Sequence, residues 1–208
     1  MIRRASLILT ALVIAFPAPG AAQHGNVSLG AIIGYSRATL TGSDAGGLTS
    51  RAATLAGAFV RIPAASWFAV EPELLFARKG GETAALPGGG GTLDFEFVYL
   101  ETPILARFRG PRLGKYVRPF AFGGPAAAFL IGCDVQASGT AGSQRQACDA
   151  SSVPSIDATA VVGGGFEFGV GNSVLGIEAR YSLGLRGITE QNLDIRNSLW
   201  GILAEIPF

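Results

Sequence analysis

The chain has 208 residues, of which 49% are apolar and only 15% are charged, and its mean hydropathy is +0.39. The formal net charge is +1 and the lysines and arginines are scattered, which excludes the electrostatic footprint of a nucleic-acid-binding protein. The length suits one domain, but the composition is more hydrophobic than that of an ordinary soluble domain.

The first residues predict a secretory signal peptide. Arg3 and Arg4 precede a mostly apolar, uncharged run over 5–16, and small residues follow at Ala21 and Ala22. A membrane anchor is the alternative, but this run is shorter than the roughly 20 residues that a spanning helix needs. We therefore expect residues 1–22 to be cleaved and residues 23–208 to form one exported domain.

The remaining chain alternates between strand-like runs and glycine-rich or polar breaks. Four of the runs show a period of two, with one apolar face and one face that carries charges or glycines, as expected of β-strands. Eight strands are predicted, over residues 27–37, 52–62, 67–79, 92–109, 115–132, 156–169, 173–185 and 195–208.

The two faces of these strands fit two kinds of barrel. In a soluble barrel such as a lipocalin the apolar face would point inward, whereas in a membrane barrel it points to lipid and the charges line the interior. Three features favour the membrane barrel: a charged face of mixed sign, breaks that alternate between long and short, and aromatic residues near strand ends. Those aromatic residues are Tyr35, Trp67, Phe108, Tyr116, Tyr181 and Phe208.

These features predict an all-β protein, an eight-stranded antiparallel up-and-down transmembrane β-barrel in the outer membrane of a Gram-negative cell. Its short turns and both termini would face the periplasm, and its longer loops would face outward. Phe208 ends an alternating strand, which is typical of the carboxy-terminal signal that the barrel-insertion machinery is thought to read. The expected surroundings are outer-membrane lipid and lipopolysaccharide.

The ordered series of segments resembles the PorT family of outer-membrane β-barrel proteins, which are small barrels comparable to OmpX and to the OmpA membrane domain. The resemblance covers essentially the whole exported region and implies fold and location. The matching segments are 70–76, 79–80, 99–105, 118–120, 123–125, 163–167, 178–185 and 196–197.

The charged residues of the predicted inner faces fit two roles. Paired glutamates suggest acid–base chemistry, but buried carboxylates also need cationic partners, which the neighbouring arginines would supply. We favour a structural ion-pair network that fills the narrow lumen. Its predicted members are Glu71, Glu73, Glu101, Arg107, Glu167, Glu178, Arg180 and Glu205.

Cys133 and Cys148 are the only two cysteines. In an exported protein an isolated pair predicts one disulfide. Metal binding or redox catalysis is the alternative, but it has too few partner residues.

Catalytic motifs are lacking. His24 is the single histidine, so the usual base of a nucleophilic triad is missing. The sequence also has no cluster of residues at the spacing of zinc ligands, and we expect no cofactor or metal. Glycines 88–91 lack the Lys-Ser/Thr of a phosphate loop. The predicted function is a non-enzymatic structural or interaction barrel whose outer loops contact a partner or ligand, such as an envelope protein. The alternatives are a barrel that transports ions or small solutes, a lipid-modifying outer-membrane enzyme and a soluble periplasmic barrel.

Overall fold

The computed structural model describes residues 26–43, 48–83, 91–139, 142–148, 155–171, 173–185 and 196–208. The predicted signal peptide lies outside these residues. Within them the structure is built from ten β-strands: β1 Ser28–Thr41, β2 Leu48–Thr49, β3 Arg51–Pro63, β4 Phe68–Thr83, β5 Gly91–Arg109, β6 Val117–Gly139, β7 Gly142–Ala147, β8 Ile156–Val170, β9 Ser173–Gly184 and β10 Arg196–Pro207.

Eight of the strands close into a ring. Each pairs antiparallel with its neighbours in the order β1-β3-β4-β5-β6-β8-β9-β10, and the pairing of β10 with β1 completes the circle. Closure gives the backbone N–H and C=O groups of every barrel strand a partner without water, which a lipid environment requires. The predicted eight-stranded antiparallel barrel is confirmed.

The side chains alternate between outward-facing and interior positions, the pattern that was predicted for a membrane barrel. Ile104 and Ile202 on the outer wall are 57% and 56% exposed, whereas Glu71 and Arg107 are fully buried inside. No helix among the described residues is long and apolar enough to span a membrane.

The two ends of the barrel differ in their connections. At one end, called the short-turn end below, β3 joins β4 through residues 64–67, β5 joins β6 through 110–116, and β8 joins β9 through 171–172. Gly114 and Gly171 have φ angles of +73° and +61°, a left-handed conformation that glycine adopts without strain. The opposite end, called the long-loop end, carries the longer connections.

The interior contains apolar layers as well as charges. Leu55 and Phe59 of β3 pack inside the ring with apolar side chains of three other strands: Ile32, Leu75, Ala77, Leu199 and Leu203. Gly30 of β1 makes room for this layer, because a Cβ there would lie 2.2 Å from the ring of Phe59. The expectation that the inner faces carry only charges and glycines is therefore incomplete.

The segment between Cys133 and residue 155 differs from the predicted loop. Strand β6 continues to Gly139, ten residues beyond its last pairing with β8 at Phe129, and there it pairs with β5 and with the added strand β7. A barrel strand needs only about 9–11 residues to cross a bilayer, whereas β6 has 23. The β5–β6–β7 sheet therefore extends past the barrel at the long-loop end.

Candidate functional site in the barrel lumen

Arg107 of β5 lies at the centre of a buried charge cluster near the short-turn end. Its guanidinium donates hydrogen bonds to Glu71 (3.1 Å), Glu167 (3.1 Å) and Glu205 (2.7 and 2.9 Å). Its Cζ lies 3.5 Å from the centroid of the Phe120 ring. Acids from β4, β8 and β10 thus meet one cation inside the ring.

Arg61 of β3 is the second cation of this cluster, and it was not among the predicted members. Its guanidinium donates to Glu71, lies 2.8 Å from Glu205 and lies 3.5 Å from Glu167. We call Arg61, Arg107, Glu71, Glu167 and Glu205 the lower cluster. Each carboxylate in it contacts both guanidiniums.

Arg180 of β9 forms a second group next to the lower cluster. Its two terminal nitrogens donate to the two carboxylate oxygens of Glu73, at 2.6 and 2.7 Å, and its Nε donates to Glu178 at 2.9 Å. The Glu73 pair is a forked, bidentate contact, which is the strongest geometry for such ions. Glu71 and Glu73 share the inner face of β4, so the two groups lie one above the other.

Glu101 lies apart from the other predicted members. Its carboxylate pairs with Lys79 Nζ at 2.5 Å, and both side chains are almost fully buried. Lys79 Nζ also lies 5.3 Å from the centroid of the Tyr99 ring. The structure therefore brings seven of the eight predicted residues together and places Glu101 in a separate ion pair nearer the long-loop end. The role of the eight residues as a structural network stays a prediction.

These charged side chains occupy the interior of the ring. An eight-stranded barrel is just wide enough to be filled by its own side chains, and the arginines here also stack on Phe59, Phe120 and Phe122. The five carboxylates of the two groups are each paired with a guanidinium. Among the described residues no group of His, Cys, Asp or Glu is arranged to hold a metal ion.

The long-loop end carries a stapled, charged hairpin. The predicted disulfide between Cys133 and Cys148 is present at the base of the β6–β7 hairpin, with a Cα–Cα distance of 5.3 Å. Arg145 of β7 pairs with Asp134 at 2.7 Å and lies 3.5 Å from Glu96 of β5. The hydrogen bond and charge of Asp134 raise the pKa of the Arg145 guanidinium above its ordinary value.

A cleft of about 660 Å³ lies between this hairpin and β5. Its lining mixes apolar side chains, such as Leu93 and Val135, with the polar side chains of Gln144 and Arg145. The hairpin is therefore shaped by a covalent link and by ion pairs as well as by its strand pairing.

The sequence matches the profile of a protein family described as "Outer membrane protein beta-barrel domain" over residues 21–190. The chain belongs to this family. It is an outer-membrane β-barrel protein, as the composition and the strand pattern predicted. No curated protein matches the sequence significantly.

Solved outer-membrane barrels resemble the structure at low sequence identity. Neisserial surface protein A is 11% identical, with a TM-score of 0.52, 88% of this chain covered and 100% of the other. The attachment invasion locus protein Ail of Yersinia pestis is 14% identical, with a TM-score of 0.44 and coverages of 88% and 100%. OprG from Pseudomonas aeruginosa is 11% identical, with a TM-score of 0.44 and coverages of 87% and 91%. The likeness to Neisserial surface protein A concerns the fold alone.

Proposed function

We propose that this protein is a structural or interaction barrel with a sealed lumen, and that its long-loop end contacts a partner or ligand. The observation that carries the proposal is the lower cluster, in which two arginines and three glutamates from five strands meet inside the ring. Opening a pore there would separate buried ions from their partners, which costs several kcal/mol per ion pair, roughly 3–5. A permanently closed lumen leaves the loops and the outer wall as the functional surfaces.

The β6–β7 hairpin is the part of the surface best suited to a partner. It extends beyond the barrel, the Cys133–Cys148 disulfide constrains its base, and a mixed polar and apolar cleft lies beside it. A pre-shaped surface loses less conformational entropy on binding than a mobile one. An envelope protein is the class of partner that we propose for it.

We infer that residues 1–22 are removed on export, that the chain is a PorT-type barrel of a Gram-negative cell, and that the long-loop end faces outward among lipopolysaccharide. The segment formed by β10 and Phe208 would be read by the insertion machinery. The protein would act without catalysis, in contrast to a lipid-modifying barrel enzyme, because its buried carboxylates are held by arginines.

Conductance in planar lipid bilayers tests the sealed lumen. We expect the purified, folded barrel to give no resolved current steps in 1 M KCl, and the outer-wall variant Ile104→Ala to behave in the same way. Reproducible open-channel steps from the wild-type barrel would overturn the proposal in favour of the transport alternative.

A photo-crosslinking amino acid placed in the hairpin tests the contact surface. At position 144, in the cleft, we expect a discrete crosslinked band from intact cells. Position 162, on the lipid-facing wall, serves as the control. Equal labelling at both positions would remove the hairpin as a specific contact site.

A further inference from the structure

A second charged feature lies at the short-turn end, outside the ion-paired lumen. A cavity of about 190 Å³ opens there, and we call it the short-turn vestibule. Four cationic side chains line it: Arg109 from the end of β5, Arg112 and Lys115 from the following turn, and Arg118 from the start of β6. Among the described residues that line it, Glu167 is the only acidic one.

The turn that carries two of these cations is held in place by hydrogen bonds. Gly110 N donates to Pro119 O at 2.8 Å, and Leu113 N donates to Val117 O at 2.8 Å. Arg118 Nε donates to Gly110 O at 2.9 Å, and its terminal nitrogen donates to Ser66 O at 3.2 Å. The guanidinium of Arg118 is thus positioned by neutral carbonyl groups rather than by a carboxylate.

The vestibule cations differ from the lumen arginines in their partners. In the part of the chain that the structure describes, none of the four forms an ion pair within 4.0 Å, whereas Arg61, Arg107 and Arg180 each contact two or more carboxylates. Glu167 is already engaged by the lower cluster. Arg109 Nε is buried without a hydrogen-bond partner, and leaving such a charged donor unpaired is costly.

A simpler role for these cations explains only part of the set. The lower cluster and the Arg180 group together hold five glutamates and three arginines, so Arg109 and Arg118 would offset the excess negative charge. Arg112 and Lys115 are exposed on the turn, where solvent and salt screen them from the lumen. Charge compensation therefore does not account for these two.

We propose that the short-turn vestibule binds a phosphate-bearing anion. The planar guanidinium fork matches two oxygens of a phosphate group, and several such cations around one cavity suit a multivalent anion. The cavity volume equals that of about six liquid waters, which is room for a diphosphate-sized group. Tyr116, 68% exposed, lines the cavity and Leu113, 54% exposed, lies on the same turn. The phosphate would come from a phospholipid headgroup or from a free phosphate compound.

Binding of pyrophosphate to the full barrel in a maltoside detergent, which contains no phosphate, tests this proposal. We expect saturable calorimetric binding at low salt. The double variant Arg112→Gln/Lys115→Gln, which changes only exposed side chains, should bind at least about tenfold more weakly, because each lost charged contact lowers affinity by that order. Arg78→Gln, a half-exposed arginine at the long-loop end, is the matched control and should bind like wild type.

A second arm separates the two sources of phosphate. If short-chain phosphatidylglycerol displaces pyrophosphate, the ligand is a lipid headgroup. If it does not, the ligand is a free phosphate compound. Both results support the presence of the site. Absence of pyrophosphate binding, or equal weakening by Arg78→Gln, would overturn the proposal. The proposal would also be overturned if the double variant changed only the unfolding midpoint and bound pyrophosphate like wild type. The cations would then serve only to balance the negative charge of the lumen.

Discussion

Replacing Arg107 with methionine tests whether the lower cluster stabilises the barrel. The substitution keeps an apolar chain of similar length but removes four hydrogen bonds, of 2.7 to 3.1 Å, to Glu71, Glu167 and Glu205. Three buried carboxylates would then share Arg61 alone. Removing one partner of a buried ion pair costs roughly 3–5 kcal/mol, so with a urea dependence near 2 kcal/mol/M the unfolding midpoint would fall by about 2 M.

Reversible urea unfolding in lipid vesicles measures this loss, with the fluorescence of the exposed Trp67 and Trp200 as the signal. Arg107→Lys keeps the charge without the forked geometry and should lose less. Adding Glu205→Gln to Arg107→Met should recover part of the loss, because one unpaired charge disappears. If Arg107→Met unfolds within about 1 kcal/mol of wild type, well below the cost expected of a broken buried pair, the assigned role of the cluster is wrong.

Three further substitutions test other parts of the structure. Ile104→Arg should lower the free energy of unfolding by roughly 2–4 kcal/mol in the same urea assay, because it places a charge against lipid. The control Ile104→Val should lower it by less than about 1.5 kcal/mol. Equal unfolding midpoints for the two variants would contradict a lipid-facing wall. Cys133→Ser should speed protease cleavage of the hairpin, because the disulfide stabilises a loop of this length by about 3 kcal/mol. The urea midpoint of the barrel should stay unchanged. An unchanged cleavage rate would show that strand pairing alone holds the hairpin. Gly165→Val should prevent barrel closure, because a Cβ there would lie 2.0 Å from Ile177 O. On cold SDS gels this variant should therefore lack the faster migration of a folded barrel. The control Gly132→Ala, whose Cβ would meet only Val98 at 3.5 Å, should migrate like wild type.

The barrel strands were predictable because a transmembrane strand repeats its environment every two residues. Leu74 and Phe76 face outward while Glu71, Glu73 and Lys79 face inward, and this contrast in polarity is visible in the sequence. The predicted fourth strand, 92–109, differs from β5 by one residue. The alternation of long and short connections then predicted the up-and-down order of the strands.

Strand β7 was not predictable from the same signal. Gly142–Ala147 is polar apart from its last residue and shows no alternation, and all its residues are exposed. Its conformation depends on pairing with the extended part of β6, from Asp134 to Gly139. The two cysteines were the available signal, because a disulfide at such spacing brings the ends of a hairpin together.

Arg61 and the interior apolar layer were missed for a related reason. Leu55, Phe59 and Arg61 occupy the same inward row of β3, so polarity along that row does not distinguish the inside from the outside. The partners of Arg61 lie 10, 106 and 144 residues away in the chain. Such contacts are set by the closed ring and not by local sequence.

The distribution of the lower cluster over the ring has a consequence for assembly. Its arginines are on β3 and β5, and its glutamates are on β4, β8 and β10. Glu205 reaches Arg61 and Arg107 only after the last strand has docked on the first, so a half-built sheet would expose uncompensated ions to hydrocarbon. We therefore expect a partly inserted sheet of this chain to be less stable than the closed barrel, because its buried charges would lack their partners.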